Sequence, residues 1–124
     1  MPTRTELTGP KAVIELFVFD DDSCPARAYL DELDPRERQR IDSLFELMCM
    51  RGEIRNKEHF KKLEGSDGIF EFKRYQTRVL CFFGKGSPAR VVLTNGVTKK
   101  SDKHAKSDIR RAEDMRKRYM GERK

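Results

Sequence analysis

The strongest alternation of apolar and polar side chains runs from Gly68 to Phe83, GIFEFKRYQTRVLCFF. Two runs rich in aromatic and β-branched residues flank the polar break Tyr75-Gln76-Thr77, which predicts a β-hairpin. In the first strand Phe70 and Phe72 share one face, and Ile69, Glu71 and Lys73 the other. In the second, Arg78, Leu80 and Phe82 alternate against Val79, Cys81 and Phe83. Lys73 and Arg78 therefore fall near each other across the turn. Cations on an otherwise buried strand pair require an anionic partner.

The rest of the chain divides around this hairpin. Met1 to Pro10 reads as an irregular lead-in, and Lys11 to Phe19 as a strand apolar on both faces, with Glu15 its one internal charge, ended by three aspartates. Ser23 is placed to cap a short helix reaching about Leu33, with Pro25 in its first turn. Asp34-Pro35-Arg36-Glu37 is a capping-box pattern, and Ile41, Leu44, Phe45 and Met48 give the following helix one apolar side up to Gly52. A basic connecting segment, Glu53 to Asp67, has Phe60 and Leu63 as anchors. After the hairpin, Gly84 to Pro88 is a loop, Arg90 to Asn95 a third meander strand, and Thr98 to His104 a basic loop beyond Gly96. A last helix is expected from Ser107 to about Met120, apolar through Ile109, Ala112, Met115 and Tyr119.

This order predicts an α+β fold: a mostly antiparallel four-stranded sheet packed by an N-terminal helical hairpin, with a C-terminal helix, the helices all on one face. At 124 residues, with 36% hydrophobic and 39% charged side chains, the chain is one domain in length, 1–124, with one modest core. No apolar run is long enough for a membrane helix, and no basic-then-apolar leader opens the chain, so a cytoplasmic location with no membrane partner is expected. Cys24, Cys49 and Cys81 lack metal or redox spacing. Cys49 and Cys81 read as small core residues in a reducing compartment.

Charge is segregated. Residues 1–50 hold 6 Lys/Arg against 11 Asp/Glu, and residues 51–124 hold 21 against 10, so balances of −5 and +11 make up the net +6. A basic half containing the hairpin is the footprint of a polyanion partner; scattered lysines and arginines otherwise mean a solvated surface.

Lys62 to Tyr119 resembles the RelE/HigB superfamily of toxins, in particular its phage-derived HigB-like branch. The residues that carry the likeness are KLEG, GIFEFKRYQTRVLCFF, RVVLTNGVTKKSDK and IRRAEDMRKRY. The resemblance implies a RelE-like fold and a ribosome-associated mRNA endoribonuclease of a type II toxin-antitoxin system. It also implies a cognate antitoxin, often with a helix-turn-helix domain, and the ribosome and mRNA as partners.

Metal-free RNA cleavage needs a base for the ribose 2′-hydroxyl, cations for the scissile phosphate and a proton for the leaving 5′-oxygen. No metal and no cofactor is expected. By resemblance Arg78, in TRVL, is the phosphate clamp, its guanidinium offering paired donors. Lys73 stabilises the same charge or, with a depressed pKa, acts as a base. Lys99 and Lys100 resemble the lysine pair that closes the last strand, and Lys103 and His104 join them at the groove rim; His104 is the better placed imidazole for proton transfer, ahead of His59. Tyr75 either stacks on a base or packs the hairpin end. Arg74 and Lys62 are further RNA-binding candidates, and Glu71 is placed to orient Lys73 or Arg78, or to make a plain cross-strand salt bridge. The C-terminal tail has no strand end to carry the family's proton-transfer residue, which leaves the general acid unassigned. The competing function is a non-catalytic RNA- or DNA-binding regulator on the same fold.

Overall fold

The computed structural model of the chain describes residues 3–99 and 104–121. Its elements are β1 (Thr3–Thr8), β2 (Ala12–Phe17), α1 (Pro25–Glu32), α2 (Pro35–Arg51), β3 (Phe60–Lys62), β4 (Phe70–Arg74), β5 (Thr77–Phe83), β6 (Ala89–Thr98) and α3 (Lys106–Met120). The strands form one mixed sheet in the order β1-β2-β6-β5-β4-β3. Only β2 and β6 run parallel; the other four pairings are antiparallel.

The expected four-stranded, mostly antiparallel sheet is therefore corrected to six strands. The two additional ones are the edges. β1 has the polar sequence TRTELT and reads as irregular because an edge strand needs no apolar face, while β3 is only three residues long. All six residues of β2 are buried, as a strand flanked on both sides requires.

The helical hairpin is corrected as well. α1 lies on β6 and β2, and α2 crosses β2, β4 and β1, so each helix packs on the sheet rather than on the other. Their core includes Ile14, Leu16, Leu30, Ile41, Phe45, Met48 and Phe72. Nor are all the helices on one face. α3 covers the opposite side, where Ala112 and Met115 bury Phe17, Ile69, Leu80, Phe82 and Val92.

Local signals account for the helix ends. The Asp34 carboxylate accepts the Glu37 backbone N–H at 2.9 Å and Pro35 opens α2, while Gly52 closes it in the left-handed region at φ 80°. Ser23 is not the cap of α1. That position belongs to Cys24, which makes no capping hydrogen bond, and the Ser23 N–H donates to Asp21 Oδ1.

Gly96 does not end the third meander strand, because β6 continues to Thr98. A Cβ at Gly96 would stand 2.1 Å from the Tyr29 ring, so the missing side chain is what seats α1 on β6, and the Tyr29 hydroxyl hydrogen-bonds with Thr98 Oγ1 at 2.9 Å. Gly96→Ala should destabilise the fold by about 1–3 kcal/mol through overpacking, measured as a lower urea midpoint with an unchanged slope.

Cys49 and Cys81 are buried and Cys24 is half-buried; all three are free thiols. Burial raises the Cys49 thiol, and burial together with the charge of Glu71 pushes Cys81 well above the ordinary thiol range. Raised pKa values suppress the reactive thiolate. Thiol alkylation of the native chain near neutral pH should label Cys24 alone, and mass spectrometry should find three adducts only after unfolding.

Candidate functional site

The β4–β5 hairpin turns in two residues, Tyr75 and Gln76, because Arg74 pairs with Thr77; Thr77 belongs to the strand rather than to the turn. Tyr75 takes φ 54°, rare for a bulky side chain, and is 65% exposed. Arg78 Nη1 donates to the Tyr75 carbonyl and tethers this turn from β5. The Lys99 N–H donates to the Gln76 carbonyl at 2.8 Å, which brings the end of β6 to the same tip.

Alternation then sorts the side chains as the pattern predicts. Phe70 and Phe72 stand opposite Cys81 and Val79, toward α2, and Glu71 and Lys73 stand opposite Leu80 and Arg78, toward α3. The α3 side is not a simply charged surface, since Leu80 and Phe82 belong to the core there and Glu71 is fully buried.

Glu71 supplies the anionic partner that buried cations require. Its Oε1 lies 2.7 Å from His104 Nε2 and 3.9 Å from Arg78 Nε, and its Oε2 lies 3.9 Å from Lys61 Nζ. The side chains of Arg78 and His104 are 3% and 1% exposed. Because the carboxylate accepts from Nε2, the neutral imidazole carries its proton on that atom and turns Nδ1 into an acceptor. His104 Nδ1 has no hydrogen-bond partner among the described residues.

Among the described residues, one cleft opens beside this cluster and another near the hairpin tip. One, of about 670 Å³, is lined by Lys61 to Gly65, His104 and Ile109. The other, of about 320 Å³, is lined by Glu58, His59, Lys73, Arg74 and Tyr75. In the second, Arg74 Nη1 lies 3.1 Å from His59 Nε2. A guanidinium cannot accept a hydrogen bond, so that imidazole nitrogen is the acceptor in this contact. The guanidiniums of Arg40 and Arg74 sit 4.6 Å and 5.3 Å from the centre of the Tyr75 ring.

The structure thus gathers Arg78, Glu71 and His104 into one contact cluster, with Lys73 the cross-strand partner of Arg78. Tyr75, Arg74 and Lys99 collect at the hairpin tip, and Lys62 lies at the first cleft, where its Nζ donates to the Ser66 carbonyl at 3.2 Å. Lys100 and Lys103 lie outside the described residues. His104 is not the exposed loop residue that a lone histidine usually is.

Sequence reasoning missed Lys61 and Arg40. Lys61 could have been found had the short β3 been recognised, since its register opposite Glu71 places the two together. Arg40 sits on the charged side of α2, where nothing in the helical pattern distinguishes it from a solvated residue.

Among the described residues no helix is long and apolar enough to cross a membrane. A comparison with curated proteins returned no match. The family profile described as "Phage derived protein Gp49-like (DUF891)" matches residues 28–117, from within α1 to within α3, and so takes in α2, the whole cluster around Glu71 and both clefts. With well over half of its length matched, the chain belongs to the phage-derived Gp49-like family.

Proposed function

We propose that this chain is the toxin of a type II toxin-antitoxin system and acts as a metal-independent endoribonuclease on mRNA at the ribosome. The observation that carries the reading is the gathering of Arg78, Lys61 and the His104 imidazole around one buried carboxylate, beside an open cleft, in a member of a phage-derived family. A small adjacent gene should encode the tight-binding antitoxin, and a helix-turn-helix domain in that partner fits the resemblance.

In the proposed reaction the ribose 2′-hydroxyl loses its proton and attacks the neighbouring phosphorus. The bond to the 5′-oxygen then breaks, leaving a 2′,3′-cyclic phosphate, and the proton taken from the 2′-hydroxyl passes to the 5′-oxygen to give a 5′-hydroxyl. His104 is the proton-transfer group, working at Nδ1 while Glu71 holds Nε2 and fixes the tautomer. Glu71 is a positioning residue. Arg78 and Lys73 supply positive potential where the phosphorane charge develops, and Lys61, Lys62, Lys99, Lys100 and Lys103 hold the flanking backbone. Tyr75 stacks on an unpaired base, its ring kept outward by the left-handed turn and flanked by Arg40 and Arg74.

The non-catalytic reading draws on a different observation: Arg78 and His104 are almost wholly buried in the free chain. A regulator that binds RNA or DNA without cutting it needs neither group at the surface.

Expression without the antitoxin should arrest growth and create new 5′ ends in translated mRNA, mapped by sequencing. Arg78→Ala should abolish both effects. Tyr75→Ala, at an exposed position that leaves the core intact, should lower cleavage about 10- to 100-fold, the equivalent of about 1–3 kcal/mol for one stacked base. If the wild-type chain binds RNA in a salt-sensitive manner yet leaves mRNA ends unchanged, the binding regulator is the correct reading.

A further inference from the structure

α3 carries a charge arrangement that the cleavage site does not use. At 3.6 residues per turn, Lys106, Arg110 and Lys117 fall in one exposed row, and Arg111 and Arg118 in a second row beside it. Asp114 is the one exposed acid between them. Of the other two acids, Glu113 falls in the first row, three residues after Arg110 and four before Lys117, but its carboxylate is engaged by the loop before β4. Glu113 accepts the Asp67 N–H at 2.8 Å, and Asp108 lies in the first turn, half-buried.

None of the five cations lies within ion-pairing distance of a carboxylate among the described residues; Arg118 instead rests over the Phe19 ring at 5.4 Å. The contrast with the other side of the molecule is plain. There Arg27 and Arg38 share Glu6 and Asp31, and Arg38 also reaches Asp42. Arg27 and Arg38 are neutralised within the fold; in α3 Arg116 pairs with Asp67 at 3.6 Å, while the five outward cations have no carboxylate partner among the described residues.

We infer that the outer face of α3 binds the sugar-phosphate backbone of double-helical RNA, a contact surface separate from the clefts. Charge complementarity selects a polyanion. The absence of any exposed aromatic along the described helix selects a duplex, because single strands are held by stacking and Tyr119 packs inward against Phe82. The 15-residue helix, about 22 Å long, spans several phosphates along such a backbone. Ile109 and His104, near its N-terminal end, line the larger cleft, so a duplex on α3 would present adjoining single-stranded RNA to that cleft. The inference rests on the RNA-directed reading of the chain, though not on cleavage itself.

The test is binding of the full chain to an RNA duplex of about 20 base pairs, followed by fluorescence anisotropy between about 50 and 200 mM salt. The triple variant Arg110→Gln, Arg111→Gln, Lys117→Gln changes exposed positions only and should keep the wild-type thermal melt. It should bind the duplex about tenfold or more weakly, with a log–log salt slope flatter by about 2 to 3, as expected for three lost phosphate contacts. Unchanged affinity and slope would overturn the inference. So would a variant that keeps duplex binding but loses the antitoxin in a pull-down, since the face would then be a protein surface. A wild-type chain that binds the duplex through α3 and cuts no mRNA would support this inference while defeating the endonuclease reading.

Discussion

A carboxylate with no exposure to solvent, on the strand next to a sheet edge, constrains everything near it. Leaving Glu71 ionised and unpartnered there would cost several kcal/mol, so cations must be brought to it. Two cations come from different strands, Arg78 from the neighbouring strand and Lys61 from the edge strand, and the His104 imidazole from the segment beyond β6 adds a hydrogen bond. The same charge reaches the buried Cys81 thiol and helps to hold it protonated. A desolvated charge thus fixes which segments converge, and the convergence defines the candidate site.

Packing on both faces makes that burial possible. α1 and α2 close one side of the sheet, with Tyr29 pressed onto Gly96, and α3 closes the other over Leu80 and Phe82. The α3-side surface passes from apolar core to ion cluster along two strands, because the side chains of Glu71 and Arg78 follow Ile69, Leu80 and Phe82 in the same alternation. Glu15 and Arg90 repeat the device at smaller scale. The single charge inside β2 is 6% exposed and is met by Arg90 of the parallel neighbour at 2.6 Å.

Charge is also divided between uses. Around β1, α1 and α2 the arginines serve the fold, linking helices to an edge strand through Glu6. At the hairpin tip Arg40 and Arg74 flank an exposed tyrosine, and along α3 Arg116 pairs with Asp67 while Arg110, Arg111 and Arg118 have no carboxylate partner among the described residues. This gradient follows from the acid-rich first half and base-rich second half. Only the fold decides which bases find an acid.

Several features could be read from the chain directly because their causes are local. The β4–β5 alternation put Lys73 opposite Arg78, the Asp34 cap and Gly52 stop framed α2, and the apolar spacing of α3 was legible over nearly its whole length. β1 and β3 were not legible, since polar edge strands owe their existence to a neighbour rather than to their own pattern. The parallel pairing of β2 with β6, the separation of helices onto two faces and the seat of Tyr29 on Gly96 all join residues far apart in sequence. The candidate site divides in the same way. Arg78, Glu71 and His104 were visible as residue types, but their meeting at one buried carboxylate depends on the tertiary structure, because desolvation and distance are set by the packed sheet and not by position along the chain.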